Sequence, residues 1–449
     1  MKNALLIFAF LSFYLSSVHA SVEIRSNKLT TGDGLANNSI RYMFQDSKGF
    51  MWMGTVNGLS YYDGNSFVSI YPDPNLPISL ADPRIRNMEE DSNGFLWIAT
   101  LSSLYSCYDL KHGRFVDFTG CGEYKQSYSK KIIASDQSIW LWDNNNGCRR
   151  VVYQDGQFSS QAYKKELGNL SSDKVLFVYE SNDSPGHVWI GTKQGLWKYH
   201  DGKLEAMDTQ GESWEHIFSY DQYTCIITGK KEIYRHSLSN NRLEKIASLT
   251  ELGDTGVITG SLRLQHQWVM FTATGSYILD PVTGKLRRFS RLNIKNGNVT
   301  RDNKGNAWVH NYTGNVWYVN TSTGDIKHFQ FLSSEHLGYI DVERYSIIHD
   351  SRDIIWITTY GNGLFAYDLN TGDLQHFTFE VSHSSHINSN YLQYIIEDRS
   401  GGIWVSSEFS GLSHLEILNK GTLRIYPNGE DASDRSNTIR KIGRASCRE

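Results

Sequence analysis

Along most of the chain, short runs of alternating apolar and polar residues are separated by clusters of Gly, Asp and Asn. A period of two marks half-buried strands, and turn residues at this spacing mark hairpins between them. The clearest unit predicts four strands: Ile40 to Gln45, Phe50 to Thr55, Gly58 to Tyr62 and Ser66 to Tyr71. An Asp-x-x-Gly turn follows the first strand. A Gly-Leu turn opens the third, and Asp63-Gly64-Asn65 leads to the fourth. Such a unit is a β-meander.

The unit recurs. Its second strand carries a tryptophan, and the copies centre on Trp52, Trp97, Trp140, Trp189, Trp268, Trp308, Trp356 and Trp404, with successive gaps of 45, 43, 49, 79, 40, 48 and 48 residues. The gap of 79 holds a degenerate copy near Cys225 to Tyr234, where Ile227 is read in the tryptophan's place, giving nine repeats. Four-stranded meanders at this period are β-propeller blades. One meander cannot bury both its faces, so blades stack around an axis and cover one another. The tryptophan is then a plate between sheets, and Gly58, Gly195, Gly363 and Gly411 allow close approach of the backbone. These residues, and the Asp of each Asp-x-x-Gly turn, are structural in this reading, and none is assigned to catalysis.

Composition strengthens the β assignment. Aromatic residues make up 13% of the chain, beside 38 Gly and 7 Pro. A net charge of −4 without charged blocks excludes a basic nucleic-acid footprint. At the N-terminus, Lys2, the apolar run Ala4 to Leu15 and Val18-His19-Ala20 predict a secretory signal peptide over residues 1–20. No later run is apolar enough to span a bilayer as a helix. Export permits disulfides. Among the five cysteines, Cys107, Cys121 and Cys148 lie in neighbouring repeats, where either one bridge or free thiols fit; Cys225 and Cys447 are the others. No metal-ligand spacing is present, His383-Ser384-Ser385-His386 reads as a polar loop, and no cofactor is expected.

The recurring sentence Ile-Arg … Asp-x-x-Gly-x-[Leu/Met]-Trp-[Ile/Met]-Gly-Thr-x-x-Gly-Leu-x-x-Tyr-Asp resembles the two-component-regulator propeller repeat. The opening Leu29-Thr30-Thr31-Gly32-Asp33-Gly34-Leu35 is similar to the approach to that family's first blade. The resemblance runs over roughly residues 22–441 and is sharpest in the first, second, fourth, eighth and ninth copies. It implies the periplasmic sensor of a membrane-anchored hybrid histidine kinase, acting as a homodimer. In that family two seven-bladed propellers usually stand in series, many members answer to oligosaccharides, and a phosphorelay controls transcription. Relatives carry a diguanylate cyclase instead. The segment itself is expected to be non-enzymatic and to make no nucleic-acid contact.

Counting on that basis divides the chain into a seven-bladed propeller over 21–331 and the first two blades of a second over 332–441. Ser436-Asn437-Thr438-Ile439-Arg440-Lys441 restates Asn38-Ser39-Ile40-Arg41, as though another blade begins. Residues 442–449, Ile-Gly-Arg-Ala-Ser-Cys-Arg-Glu, resemble a translated sequencing adapter and are read as an assembly artefact. Residues 22–29 form a spare strand able to close a ring, which ring being left open.

Successive strands alternate in direction, so the loops between second and third strands share one face with the connections between blades. These loops vary, whereas the turns of the other face are short and stereotyped. Variation on one face of a repeat scaffold marks a binding face. Its candidate ligand residues are Asn311, Tyr312, Tyr360, Asn362, Glu408 and Phe409: aromatics to stack on sugar rings, and polar groups for hydroxyls. Two other classes compete with a sensor. A propeller enzyme on glycans, of sialidase or lyase type, would need carboxylates outside the repeat pattern, and none stand out. A plain protein-interaction propeller is the third reading.

Overall fold

The structure is a computed structural model. It describes residues 22–119, 128–181, 184–208, 213–221, 223–229, 232–254, 258–311, 315–330, 346–380 and 386–418. Among them, strands pair into nine antiparallel sheets of four. The first blade is Ile40–Gln45, Met51–Thr55, Leu59–Tyr62 and Phe67–Ile70. The next seven span 85–116, 130–163, 175–208, 214–248, 260–288, 298–330 and 346–377. The ninth has three strands, Leu392–Glu397, Ile403–Ser407 and Leu412–Leu418, and takes its fourth from the N-terminus. Glu23–Leu29 runs antiparallel to Leu412–Leu418, with Leu29 opposite Leu412 and Ile24 opposite Ile417.

The Asp-x-x-Gly-x-x-Trp spacing has a local cause. In the first blade, Asp46 Oδ1 accepts the backbone N–H groups of Lys48 (3.0 Å) and Phe50 (2.9 Å), which holds the turn. Its Oδ2 accepts the indole N–H of Trp52 at 2.8 Å. A buried carboxylate thus satisfies three donors and orients the ring, as buried polar groups require. The same indole bond joins Trp97 to Asp91, Trp356 to Asp350 and Trp404 to Asp398.

These rings, and that of Trp140, whose indole N–H has no partner among the described residues, are buried against the following blade. Trp52 packs with Ile85, Met88 and Ile98, Trp97 with Ile139 and Leu141, and Trp140 with Val188 and Ile190. Burying a ring of this size contributes about 4–6 kcal/mol of transfer free energy, so the interface between blades is where the fold is held.

This arrangement overturns the division into seven blades plus two. After the seventh blade there is no free face: Trp308 is fully buried with Ile347, Ile355, Ile357 and Phe365 of the eighth. The ninth blade covers the first, with Trp404 packed among Met43, Met51 and Met53. A backbone bond from the second-to-third loop to the next connection recurs as Gly58 N–H to Pro83, Gly147 N–H to Asp173 and Gly361 N–H to Asn390. It recurs once more across the seam as Gly411 N–H to Asn38 O at 2.9 Å. On the opposite face, Arg399 N–H donates to Gln45 Oε1 at 2.8 Å. One ring of nine therefore closes on itself. A ring closes where the last apolar face meets the first, and the blade count follows from that meeting. The expected boundary at 331/332 falls outside the described residues, as do the signal peptide, Ser436 to Lys441 and residues 442–449.

Two local readings also change. In the fifth blade Ile227 faces backwards, beside Trp189 and Leu196. Ile226 is the residue on the tryptophan's face, packed with Trp268 and Met270 of the sixth blade. In the sixth blade Trp268 itself faces backwards, and Val269 takes the usual position against Ala307 and Val309. A threonine signals the correct register. Thr55 Oγ1 donates to Gly58 O, Thr192 to Gly195 O and Thr272 to Gly275 O. Counting three residues back from each gives Trp52, Trp189 and Val269. Cys107, Cys148 and Cys225 are buried and form no disulfide with one another, and Cys121 lies outside the described residues.

Candidate ligand-binding mouth of the ring

The second-to-third loops and the starts of the innermost strands meet around one mouth of the ring. Gly363 lies at a φ of +74°, and a Cβ there would stand 2.3 Å from Phe377 O, so this turn needs glycine. The turn presents Tyr360 and Asn362. Asn362 N–H donates to Thr359 Oγ1 (3.2 Å), and its carbonyl accepts from His376 Nε2 (2.6 Å). Tyr360 forms an isolated bridge with Tyr391 of the next connection, their rings 5.1 Å apart and nearly perpendicular.

Tyr391 links this turn to the ninth blade, because its carbonyl accepts Glu408 N–H at 2.9 Å. The Glu408 side chain is buried, and Oε1 lies 3.1 Å from Arg41 Nη2. Arg41 Nη1 donates to Gln393 Oε1 at 3.2 Å. Phe409, next along the loop, is 74% exposed. The structure thus brings Tyr360, Glu408 and Phe409 onto two adjacent blades. Asn311 stands half-buried at the end of the seventh blade's second strand. Tyr312 lies outside the described residues.

Sequence reasoning missed Arg41, Gln393 and Tyr391. Arg41 was visible as the repeated Ile-Arg pair (Ile40-Arg41, Ile85-Arg86), but its partner, Glu408, is 367 residues away and met only through ring closure. Deeper in the channel the rings of Tyr42 and Tyr394 are 4.7 Å apart. Burial raises both hydroxyls above the ordinary tyrosine value; a hydrogen bond from Tyr394 partly offsets this at Tyr42, and Glu89 adds to the rise there. Glu89 is paired with Lys131, whose own pKa burial lowers. The mouth offers one neutralised Arg–Glu pair, a primary amide and exposed aromatic faces. Such a set binds and orients a polar ligand with apolar ring faces. Among the described residues, no group of three or more potential ligands could hold a metal ion.

Residues 34–57 and 79–102, which form most of the inner halves of the first two blades, match the model of the two component regulator propeller. The molecule is therefore a β-propeller whose first two blades match the two component regulator propeller. Among solved structures it is similar to the extracellular domain of the hybrid two component system BT4673 from B. thetaiotaomicron, with 17% identity and a TM-score of 0.40 over 87% of this chain and 58% of that one. The extracellular domain of BT3049 from B. thetaiotaomicron gives 19% identity and a TM-score of 0.32 over 87% and 65%. The Dos1 propeller gives 11% identity and a TM-score of 0.51 over 87% and 94%, a likeness of fold alone. The chain thus spans less than two thirds of the length of either B. thetaiotaomicron domain. No curated protein is significantly similar to it. No helix among the described residues is long and apolar enough to cross a membrane.

Proposed function

We propose that this chain is the exported, ligand-sensing part of a two-component receptor and that its mouth binds an oligosaccharide. The observation that carries this is the meeting of Tyr360, Tyr391 and Phe409 with the Arg41–Glu408–Gln393 group on blades eight, nine and one. Aromatic faces fit the apolar faces of sugar rings, and the paired charges and amide fit hydroxyls without demanding a charged ligand. The regulator repeats of the first two blades support placing such a site in a sensor. Occupancy would be passed on as a homodimer rearrangement to kinase and receiver modules of a membrane-anchored parent and so to transcription, the segment itself having no catalytic part. Titration calorimetry with a panel of neutral oligosaccharides tests this. Saturable binding without turnover, weakened about tenfold by Tyr360→Ala combined with Phe409→Ala, is expected. Hydrolysis or elimination products, or binding indifferent to that double variant, would refute it.

A further inference from the structure

The repeat is most altered where the fifth blade meets the sixth: the fifth has lost its tryptophan to Ile226, and the sixth has turned Trp268 backwards. At this place the inner wall opens into a cavity of about 570 Å³ between the innermost strands of blades four to seven. Departures from a repeat's own rule concentrate at functional sites.

Among the described residues the lining has one sign of charge. Arg301, itself exposed, lines the cavity and has no ion pair among the described residues; partial burial, and then the neighbouring cation Arg263, lower its pKa. His216 and His310, whose pKa values burial lowers, also line it, and among the described residues no aspartate or glutamate does. Glu215 is the nearest carboxylate to His216 along the strand, but it does not line the cavity and accepts from Ser213 Oγ. His216 Nε2 and Trp268 Nε1 are buried without hydrogen-bond partners among the described residues. Ser261, Thr259 and Asn298 add hydroxyl and amide groups, and the Trp268 ring lies 5.3 Å from that of Phe218.

We infer that this cavity is a second binding site, distinct from the Arg41–Glu408–Gln393 group, for a small hydroxylated carboxylate of sugar size whose carboxylate seats on Arg301. A planar guanidinium without a partner matches a carboxylate bidentately. The hydroxyl and amide groups suit a polyhydroxylated body, and a cavity of this volume falls within the range of small-molecule sites. The inference does not depend on the oligosaccharide reading, since none of its residues is among Tyr360, Tyr391, Phe409, Arg41, Glu408 and Gln393, on which that reading rests.

The test uses the purified full chain with glucuronate and galacturonate as probes, and glucose and galactose as their neutral counterparts, read by calorimetry and thermal shift. Saturable binding of a hexuronate but of neither neutral sugar is expected, weakened by about 30-fold or more in Arg301→Gln. Arg301→Lys, which keeps the charge without the fork, should retain an intermediate affinity. Circular dichroism confirms that the variants are folded. If Arg301→Gln does not fold, competition decides instead: displacement of the hexuronate by acetate supports the site, and displacement by inorganic phosphate alone overturns it. Absence of hexuronate binding to the wild type, or binding unchanged in a folded Arg301→Gln, also overturns it. Loss of neutral oligosaccharide binding in the Tyr360→Ala, Phe409→Ala variant bears only on the mouth.

Discussion

A disulfide between strands Glu23–Leu29 and Leu412–Leu418 would show directly whether the two ends of the chain close one ring. Arg25 and Glu416 are opposite one another in the register, and both side chains are exposed, with Nη1 and Oε2 3.9 Å apart. Opposed residues of an antiparallel pair have Cα atoms about 4.5–5.5 Å apart, within the range a disulfide spans. The native ion pair is solvent-exposed and contributes at most a few tenths of a kcal/mol, so Arg25→Cys with Glu416→Cys removes little. Cys107, Cys148 and Cys225 are buried and would not compete, and Cys121 and Cys447 are replaced by Ser as a precaution. The bond closes a loop of about 390 residues. Restricting the unfolded chain over such a loop stabilises by up to roughly 6 kcal/mol on the chain-entropy estimate. For a domain of about 400 residues unfolding as one unit, that raises Tm by about 7 °C. Oxidation should give a faster-migrating monomer on a non-reducing gel, and a thermal transition that reverts on reduction. If the first seven blades closed instead, position 25 would lie against the seventh blade, beside its outermost strand Ile326–Gln330. No intramolecular bond to position 416 would then form, and the nine-bladed closure would be refuted.

Three further predictions concern the devices that hold the blades. Asp350→Ala leaves the Trp356 indole, the buried Ile354 N–H and the part-buried Arg352 N–H without their acceptor, and should destabilise by about 3 kcal/mol or more in urea titrations; Asp63→Ala, in an exposed turn, should leave the urea midpoint nearly unchanged. Gly411→Ala places a Cβ 2.3 Å from Leu29 O at a φ of +79° and should cost more than about 2 kcal/mol, whereas Gly49→Ala, at +93° with open space around it, should cost about 1 kcal/mol; equal losses would contradict the close approach at the seam. Acidification should weaken the fold in two stages. Burial lowers His236 and His310 to about 4, so the unfolded chain, whose histidines titrate near ~6.5, takes up protons first. Their stabilisation is complete above about pH 6.5 and lost as pH falls towards about 4, by up to roughly 3 kcal/mol each. For Asp398, burial alone would raise the pKa, but bonds from His414, Ser400, Trp404 and the Gly402 N–H outweigh it and hold it well below the ordinary range, so its contribution is lost on further acidification. Denaturation midpoints from about pH 8 down to about 1.5 check both stages, and a His236→Gln variant with an unchanged slope between about pH 6.5 and 4 would remove that residue from the account.

Within each blade, the sequence alone determined the strands, the turns and the tryptophan plates, because those are local. The period of two, the turn residues and the six-residue step from Asp46 to Trp52 act over distances the chain spans by itself. The degenerate blades were legible as blades but not in register: the alignment followed tryptophan, whereas in the sixth blade the backbone followed the threonine that bonds back across the turn, and Trp268 was misplaced by one residue; Ile227 was misplaced likewise in the fifth, where Thr228 makes no such bond among the described residues. A one-residue slip turns a strand's side chains to the other face, which is how Trp268 comes to line the cavity. What only the tertiary structure decided is how many blades make a ring and what meets at its seam. Every blade presents much the same two faces, so nothing local distinguishes the seventh from the ninth as the last. The count follows from where an uncovered face and an unpaired strand edge find partners, here Met43 and Met51 for Trp404 and Glu23–Leu29 for Leu412–Leu418. That same meeting carries Arg41 to Glu408, so part of the candidate site comes into being only when the ring closes.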